Sequence, residues 1–390
     1  MEQALCRYLV CDEQTLIESG YQAMYRSGSL EAAQALDAFR EALRRDPASS
    51  DRWCDLAAAL AQYGRTKEAG YCYDRALQLA PNSPQVWLRA ANFSFSIGEN
   101  QKALGEYARV VQITPVYEPV VFSYYGLMDL PVSEILERGI PADRGVAQAY
   151  FLNLLGAGTE PDVKQAWRWM TARAFLDDRL AGQYAEHLLG RGKYEDAAAA
   201  WRQYLGKRAA TYMVASYLYN GDFEEQPTGS VFDWRLSRAD GIKLGLDEKV
   251  VHSGQRSLKV DLEGIENLAF GHVAQRAVIR EGAYRLRGYM KTEGLTTNRG
   301  MALRVFDVES PGRLDVRTEE VSGSSDWNLL EKTFTVSRGT RLIEVQLARE
   351  PSLKFDNKIQ GTLWLDSVTL ERLRGRDENP PAITAVPRHE

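Results

Sequence analysis

The chain has 390 residues, 44% of them hydrophobic and 26% charged, which is the composition of a globular protein with roughly two or three domains. Its formal net charge of -5 gives no overall electrostatic reason to bind nucleic acid or an anionic membrane. No apolar run reaches the roughly 18–20 residues that are needed to span a bilayer.

The beginning of the chain bears on where the protein works. The stretch MEQALCRYLVCDEQ lacks both the basic flank and the long apolar core of a secretory signal. We therefore expect a cytoplasmic protein if this start is native. If the chain is instead a fragment of an exported protein, we expect it in the periplasm or associated with the envelope.

The four cysteines all lie near the beginning of the chain, at Cys6, Cys11, Cys54 and Cys72. Their spacing matches no zinc-ligand pattern, and the chain has only 4 histidines. We expect free thiols that pack between helices rather than a disulfide or a metal site.

A spacing of 34 residues organises the first half of the chain, as in Pro47, Pro81 and Pro115. The same step joins Ala35 to Ala69 and Ala103, Phe39 to Tyr73 and Tyr107, Trp53 to Trp87, and Gly64 to Gly98. This period, with small residues at fixed positions and a closing proline, resembles tetratricopeptide repeats. The resemblance implies antiparallel helix pairs stacked into a solenoid whose concave face binds other proteins.

The helical pattern continues beyond the regular repeats. After Pro115 the period is lost, and residues 116–146 are predicted to form shorter helices. Helix pairs are predicted again at residues 147–173 and 184–204, where apolar residues recur every three to four positions. We therefore predict an all-α domain over residues 1–215.

The first helix of each repeat lines the groove in this family. Carried over residue by residue, the resemblance implies a protein-binding groove formed by Asp51, Cys54, Gln62, Gln85, Leu88, Asn92 and Phe95. The lysines that clamp a terminal carboxylate in some relatives are absent, so we expect an extended or helical peptide as the partner. The alternative is that the solenoid is a spacer, or that it docks on the next domain.

Composition changes after about residue 215, where valine, threonine and alternating patterns replace alanine-rich helices. Several runs are strand-like and are separated by turns: SLKVDLE, YRLRGYMKTE, MALRVFDVE, EKTFTVS, RLIEVQLARE and TLWLDSVTLERL. Short strands at this spacing predict an all-β sandwich or jelly roll over residues 216–373. Residues 374–390 are charged and proline-rich and are predicted to form a disordered tail.

The strand-rich segment carries a series of short motifs in a fixed order. These are NGDFE at 220–224, then Trp234, HSGQRSLKV at 252–260, GAYRLRGYMKT at 282–292, Asp326-Trp327 and GTLWLDSVTL at 361–370. In this order they resemble carbohydrate-binding modules of families four and nine. The resemblance implies a jelly roll and, as ligand, a carbohydrate.

Strand alternation indicates which side chains face outward. Tyr284, Leu286 and Met290 are predicted to face the core. If the outward residues line one concave sheet, a carbohydrate-binding patch is predicted at Arg287, Tyr289, Arg304, Phe306, Glu344 and Gln346, joined by Phe270 and His272. Sugars need this mixture, since aromatic faces cover ring C–H groups and planar polar groups bind hydroxyl pairs. The alternatives are an ordinary solvated face or a surface that docks the helices.

The resemblance also implies a structural calcium site between the first and last strands. Asp366 matches a late carboxylate ligand, and Asp222 or Glu224 could contribute from the opening motif. Calcium needs about six or more oxygen ligands. The alternative is that these carboxylates bind turn amides and hold no metal.

No nucleophile elbow, phosphate loop, dinucleotide fingerprint or paired-histidine motif is present in the sequence. We predict a non-catalytic adaptor, an all-α tetratricopeptide solenoid followed by an all-β jelly-roll sandwich. The predicted partners are a protein or peptide and a polysaccharide, with no nucleic acid and no membrane span. Bacterial envelope or exopolysaccharide assembly is the setting that the resemblance implies. The alternative is a structural scaffold whose sandwich binds no sugar.

Overall fold

The computed structural model describes residues 13–24, 29–355 and 357–373. Cys6, Cys11 and the predicted tail at 374–390 lie outside the described residues. The chain divides into two compact units, Met1–Phe175 (the helical unit) and Leu176–Glu390 (the second unit). Helices give way to strands after residue 215, so the second unit contains the last helix pair together with the strands. The domain boundary at 215 itself stays a prediction.

The helical unit consists of short helices joined by tight turns. Its helices are Glu13–Met24 (α1), Ser29–Arg45 (α2), Ser50–Gln62 (α3), Thr66–Leu79 (α4), Pro84–Ser96 (α5), Asn100–Ile113 (α6), Glu118–Leu127 (α7), Val132–Glu134 (α8), Arg144–Ala157 (α9) and Glu160–Ala172 (α10). A 3₁₀ turn at Pro115–Tyr117 and a π-helical turn at Ile135–Gly139 interrupt them. The predicted helix pairs are confirmed, as are the shorter helices between residues 116 and 146.

Repeated residues explain why the helices begin and end where they do. The hydroxyl groups of Ser49 and Ser83 accept hydrogen bonds from the backbone at the starts of α3 and α5. Gly64 and Gly98 have φ angles of 73° and 80°, a left-handed conformation that favours glycine at a helix end. Each pair therefore closes through the same local chemistry.

The repeated tryptophans have a specific partner. The indole Nε1 of Trp53 donates to the carbonyl oxygen of Pro47 at 2.9 Å, and that of Trp87 donates to Pro81 at 2.8 Å. The proline thus ends one helix and also supplies an acceptor that fixes the next one. This contact accounts for the common period of the two residue types.

The second unit begins with two helices and continues with strands. The helices are Asp178–Gly190 (α11) and Tyr194–Leu205 (α12), followed by a 3₁₀ turn at Gly206–Ala209. The strands are Arg235–Leu236 (β1), Ile242–Asp247 (β2), Ser257–Glu263 (β3), Phe270–Val278 (β4), Gly282–Leu295 (β5), Ala302–Asp307 (β6), Asp315–Arg317 (β7), Gly323–Val336 (β8), Leu342–Arg349 (β9) and Gln360–Arg372 (β10). The six strand-like runs are confirmed, whereas β1, β2, β4 and β7 were not among them.

The described strands form two five-stranded antiparallel sheets. Sheet A has the order β1-β4-β9-β6-β7, and sheet B has the order β2-β3-β10-β5-β8. Leu303 of sheet A and Met290 of sheet B are both fully buried in one core. A Cβ atom placed on Gly288 would lie 2.8 Å from Leu303 Cδ1, so the two sheets are in direct contact. The sandwich is confirmed.

Helix α12 packs within the same unit as the sandwich. Trp201 is fully buried, and its ring meets that of Tyr219 edge to face at 6.1 Å. The Tyr194 hydroxyl donates to Glu309, and Glu195 pairs with Arg341 at the start of β9. These contacts attach the last helix pair to one end of the sandwich.

Among the helices of residues 13–24, 29–355 and 357–373, none is long and apolar enough to cross a membrane.

Candidate functional site

The six residues predicted to form one sugar patch are divided between the two sheets. Arg287 and Tyr289 lie on β5 in sheet B. Arg304 and Phe306 of β6, and Glu344 and Gln346 of β9, lie in sheet A. The outer faces of a sandwich point in opposite directions, so the expectation of a single patch is wrong. Alternation along a strand separates inward from outward residues but does not say to which sheet the strand belongs.

Four of the six residues do come together, on the outer face of sheet A. Arg304 lies directly opposite Gln346, and Phe306 lies directly opposite Glu344. The guanidinium carbon of Arg304 is 4.6 Å from the centre of the Phe306 ring. Arg304 also donates to both carboxylate oxygens of Asp315, at 2.8 Å and 2.6 Å. The aromatic ring and the polar groups are therefore close neighbours.

Glu344 is held by two arginines from different strands. Its Oε2 atom accepts from Arg235 Nη2 at 2.5 Å and from Arg276 Nε at 3.1 Å. The Glu344 side chain is only 13% exposed, although it points away from the core. Such paired contacts fix the carboxylate in one orientation.

Small residues of low exposure lie at the centre of this face. Ala274, Ala302 and Ala348 are 2–4% exposed, and Gln346 is 9% exposed. Within the described part of the chain, the Gln346 side-chain amide has no hydrogen-bond partner, and it lies over Gly271. We call the part of this face formed by Ala274, Ala302, Phe306, Glu344 and Gln346 the sheet A recess. It combines a floor of small residues with an unused amide, which can both donate and accept.

Phe270 and His272, which were expected to join the patch, lie on β4 of sheet A. Their rings meet edge to face at 5.0 Å. The Nδ1 atom of His272 is buried without a hydrogen-bond partner among the described residues, and burial lowers the pKa of this imidazole. They therefore share a sheet with the recess rather than with Tyr289.

The outer face of sheet B has a different character. The Tyr289 ring stacks on His252 at 3.6 Å, and His252 meets Trp327 edge to face at 5.5 Å. Arg287 pairs with Glu331, and Lys291 pairs with Asp326 at 2.7 Å. Sequence reasoning did not foresee this aromatic cluster, although His252 and Trp327 both lie in the motifs that carry the family resemblance.

The carboxylates expected at the calcium site accept hydrogen bonds from one loop. Asp366 Oδ2 accepts from the amides of His252 and Ser253, at 2.9 Å and 3.0 Å. Glu224 Oε1 accepts from the amides of Gln255 and Arg256, at 2.7 Å and 3.1 Å.

These contacts bear on whether the residues fit calcium. Backbone N–H groups donate to the carboxylate oxygens that a cation would need as ligands. This arrangement is the one expected of turn carboxylates that hold no metal. Asp222 has no contact of this kind among the described residues, which also contain no group of three or more potential metal-ligating side chains. Residues in this arrangement fit the turn alternative better than a calcium site, whose occupancy stays a prediction.

The predicted solenoid groove is only partly accessible. Cys54 is fully buried and cannot contact a partner, so its assignment to the groove is wrong. Helix α3 lies between neighbouring helices, and burial raises the pKa of the Cys54 thiol to about 11. Asp51 and Gln62 on the same helix are exposed, and the Gln62 amide donates to the carbonyl of Met24 at 3.1 Å. Cys54 and Cys72 are free buried thiols, as expected.

The predicted groove residues of α5 are closer to solvent. Gln85 is exposed, while Leu88, Asn92 and Phe95 are half-buried. The side-chain oxygen Oδ1 of Asn92 accepts a hydrogen bond from the Tyr107 hydroxyl at 2.7 Å. The Phe95 ring meets the Tyr124 ring edge to face at 6.1 Å. These contacts orient the groove side chains while leaving part of each accessible.

A polar ladder along the first helices was not foreseen. Asp55 accepts from the Tyr21 hydroxyl at 2.7 Å and from Arg89 Nη2 at 2.8 Å, and each partner is 34 residues away. The side chain of Asp55 is only 7% exposed. The period itself was the available signal, because equivalent positions in adjacent repeats must be neighbours.

Comparisons with known proteins give similarities of fold. No protein-family description matches the sequence, and no curated protein matches it. The Family 16 Carbohydrate Binding Module-2 is similar at 15% identity, over 40% of this chain and 98% of that one, with a TM-score of 0.29. The first TPR of Spaghetti, solved with an HSP90 peptide, is similar at 18% identity, over 27% of this chain and 80% of that one, with a TM-score of 0.24.

A third similar structure is an enzyme domain. The enzymatically active domain of tailspike protein 4 from bacteriophage CBA120 is 13% identical, with a TM-score of 0.29. That match covers 40% of this chain but only 21% of the tailspike chain. The solved structures similar to this chain thus include both tetratricopeptide and carbohydrate-binding folds, the two families that its sequence resembles.

Proposed function

We propose that this protein is a non-catalytic adaptor, in which the helical solenoid binds a protein segment and the β-sandwich binds a saccharide. Its proposed setting is bacterial envelope or exopolysaccharide assembly. The observation that carries the saccharide proposal is the sheet A recess, where Phe306 lies opposite Glu344 and the neighbouring Gln346 amide has no hydrogen-bond partner among the described residues.

The polar groups of the recess suit sugar hydroxyls. The carboxylate of Glu344 is fixed by Arg235 and Arg276, so it loses little freedom when a ligand binds. Gln346 offers a donor and an acceptor in one plane, which matches a pair of neighbouring hydroxyls. Phe306 supplies an apolar edge for sugar C–H groups.

The proposed peptide site is the accessible part of the first helices. Leu88 and Phe95 supply apolar contacts, while Gln85 and Asn92 supply hydrogen-bonding groups. Such a mixed surface favours an extended or helical peptide over a purely charged one. The proposed adaptor would therefore recognise its two partners with separate units of the chain.

The saccharide site can be tested by retention of the full-length chain in gels that contain soluble polysaccharides. A panel of neutral and anionic polysaccharides should identify at least one that retards the unmodified chain. Phe306→Ala should then weaken retention about tenfold or more, because the apolar contact is lost. Gln346→Ala should also weaken it, through the loss of the free amide.

Tyr289→Ala is the matched control, because this ring belongs to the opposite outer face. It should leave retention unchanged, and all variants should melt near the temperature of the unmodified chain. If Tyr289→Ala alone abolishes retention, the sugar site belongs to sheet B instead. If the chain is folded but no polysaccharide retains it, the result favours the alternative function, a structural scaffold whose sandwich binds no sugar.

A further inference from the structure

A cavity of 640 Å³ lies within the second unit, between helix α12 and one end of the sandwich. Its apolar lining consists of Ala198, Ala199, Met213, Tyr217, Val278 and Ile279. This volume lies within the range of roughly 300–1,000 Å³ that is typical of small-molecule sites. The cavity belongs neither to the sheet A recess nor to the groove of the solenoid.

The polar residues of the cavity are mainly cationic. Arg202, Arg280 and Arg372 line it from three different elements of the chain. In the part of the chain that the structure describes, neither the Arg202 nor the Arg280 side chain has a carboxylate partner. Arg372 donates to the carbonyl oxygen of Glu281 at 3.3 Å. Arg202 and Arg280 therefore present positive charge beside an apolar surface.

The single carboxylate in the lining is already neutralised. Glu195 forms an ion pair with Arg341, which does not line the cavity. The guanidinium carbon of Arg341 also lies 4.7 Å from the centre of the Tyr194 ring. Together with the hydrogen bond from Tyr194 to Glu309, these contacts hold α12 against the sandwich. The wall of the cavity is thus fixed before any ligand arrives.

One wall of the cavity is built from an unusual turn. Met213 has a φ angle of 62°, a left-handed conformation that residues with side chains rarely adopt. The turn is closed by the Met213 amide, which donates to Ser216 at 2.7 Å, and by the Ala215 amide, which donates to Thr211 at 2.9 Å. Met213 is also one of the residues that line the cavity, and strained backbone of this kind is concentrated at functional sites.

We propose that this cavity binds a small amphipathic anion, that is, an apolar chain or ring carrying one carboxylate or phosphate group. The apolar body would lie against Val278, Ile279 and Met213. The anionic group would bind Arg202 and Arg280, the two arginines that lack a carboxylate partner. Guanidinium groups bind both carboxylates and phosphates through paired hydrogen bonds, so the two head groups share this chemistry.

The test uses the full-length chain and three probes of equal apolar length: decanoate, decyl phosphate and 1-decanol. Calorimetric titration should show binding of at least one anion about tenfold or more tighter than binding of the alcohol. The ratio between decanoate and decyl phosphate identifies the preferred head group. Arg202→Gln and Arg280→Gln should each weaken anion binding about tenfold and leave binding of the alcohol nearly unchanged.

Two further variants separate this site from general charge and from the fold. Arg338→Gln removes an exposed arginine that does not line the cavity, and it should leave anion binding unchanged. Ala199→Trp fills the mouth from an exposed position and should abolish binding of all three probes without lowering the melting temperature. The proposal is overturned if the alcohol binds as tightly as the anions, if Arg338→Gln weakens binding as much as Arg280→Gln, or if no probe binds.

Discussion

The polar contacts of the helical unit and those of the sandwich have very different spacing along the chain. In the helical unit, Tyr21, Asp55 and Arg89 are joined in steps of 34 residues. In the sandwich, Glu344 binds Arg235 at a separation of 109 residues and Arg276 at a separation of 68 residues. Both clusters place one carboxylate between two partners from other helices or strands, and Arg52 on the helix of Asp55 adds a third partner there.

The difference shows what a repeat period can predict. In a solenoid each unit contacts its neighbours in the same way, so one spacing determines which residues meet. In a sandwich the partners depend on strand order, which connects distant parts of the chain. The two carboxylates also differ in exposure, since the Asp55 side chain is 7% exposed and the Glu344 side chain 13%, whereas Arg89, Arg235 and Arg276 are all about one third exposed.

The largest effect is expected at the carboxylate of the helical ladder. Asp55→Ala removes the acceptor of both Tyr21 and Arg89, and it also removes the carboxylate that lies 3.7 Å from the guanidinium of Arg52, whose side chain is 21% exposed. We expect the free energy of unfolding of the helical unit to fall by about 3 kcal/mol. Urea unfolding followed by circular dichroism measures this change.

Glu344→Ala is the matched change in the sandwich. Glu344 is more exposed than Asp55 and has two partners rather than three, and Arg235 and Arg276 can bind water after the change. We therefore expect a smaller loss, of about 1 kcal/mol. If Asp55→Ala and Glu344→Ala lower the free energy of unfolding by the same amount, the ladder around Asp55 is no more stabilising than the cluster around Glu344.

A smaller and pH-dependent effect is expected from Glu106 in α6. This carboxyl is 5% exposed, its nearest cation is Lys102 Nζ at 4.0 Å, and burial raises its pKa. A carboxyl group with a raised pKa in the folded state contributes stability at low pH, and this is lost as pH rises above the ordinary value of about 4.3. Glu106→Gln should therefore raise the melting temperature at pH 7.

The same variant should lose its advantage as the pH falls towards 4, where the natural carboxyl group is protonated. Asp129→Asn changes an exposed carboxyl of the same unit and serves as the control. A gain for Glu106→Gln that stays constant between pH 4 and pH 7 would argue against this origin.

The smallest effect is expected from chelation of calcium. Asp366 and Glu224 accept four backbone hydrogen bonds from one loop of the sandwich, so this loop is held without a cation. We expect the melting temperature to stay the same with chelator and with added calcium. A fall with chelator that calcium reverses would instead support the calcium site that the family resemblance implies.

Much of the fold follows from the sequence. Pro47 and Trp53, repeated after 34 residues, predicted the helix pairs, because a period of that length lets each pair bury its apolar side against the next. Alternation along β5 predicted that Leu286 and Met290 face inward and Tyr289 outward. These features depend on neighbours in sequence, so local patterns are enough to predict them.

The composition of the candidate site was decided by tertiary structure. Phe306 and Tyr289 have the same alternation pattern, but strand pairing puts them on opposite outer faces. Cys54 shares the repeat position of groove residues, yet packing against neighbouring helices buries it. His252 stacks on Tyr289 while its amide donates to Asp366, so this cluster joins residues that are far apart in the sequence. The sequence alone determined the helix pairs and the inward faces of the strands. Sheet membership, burial and side-chain partners depend on contacts between residues that are distant in sequence. A repeat period relates only residues at one fixed spacing, so it does not predict those contacts.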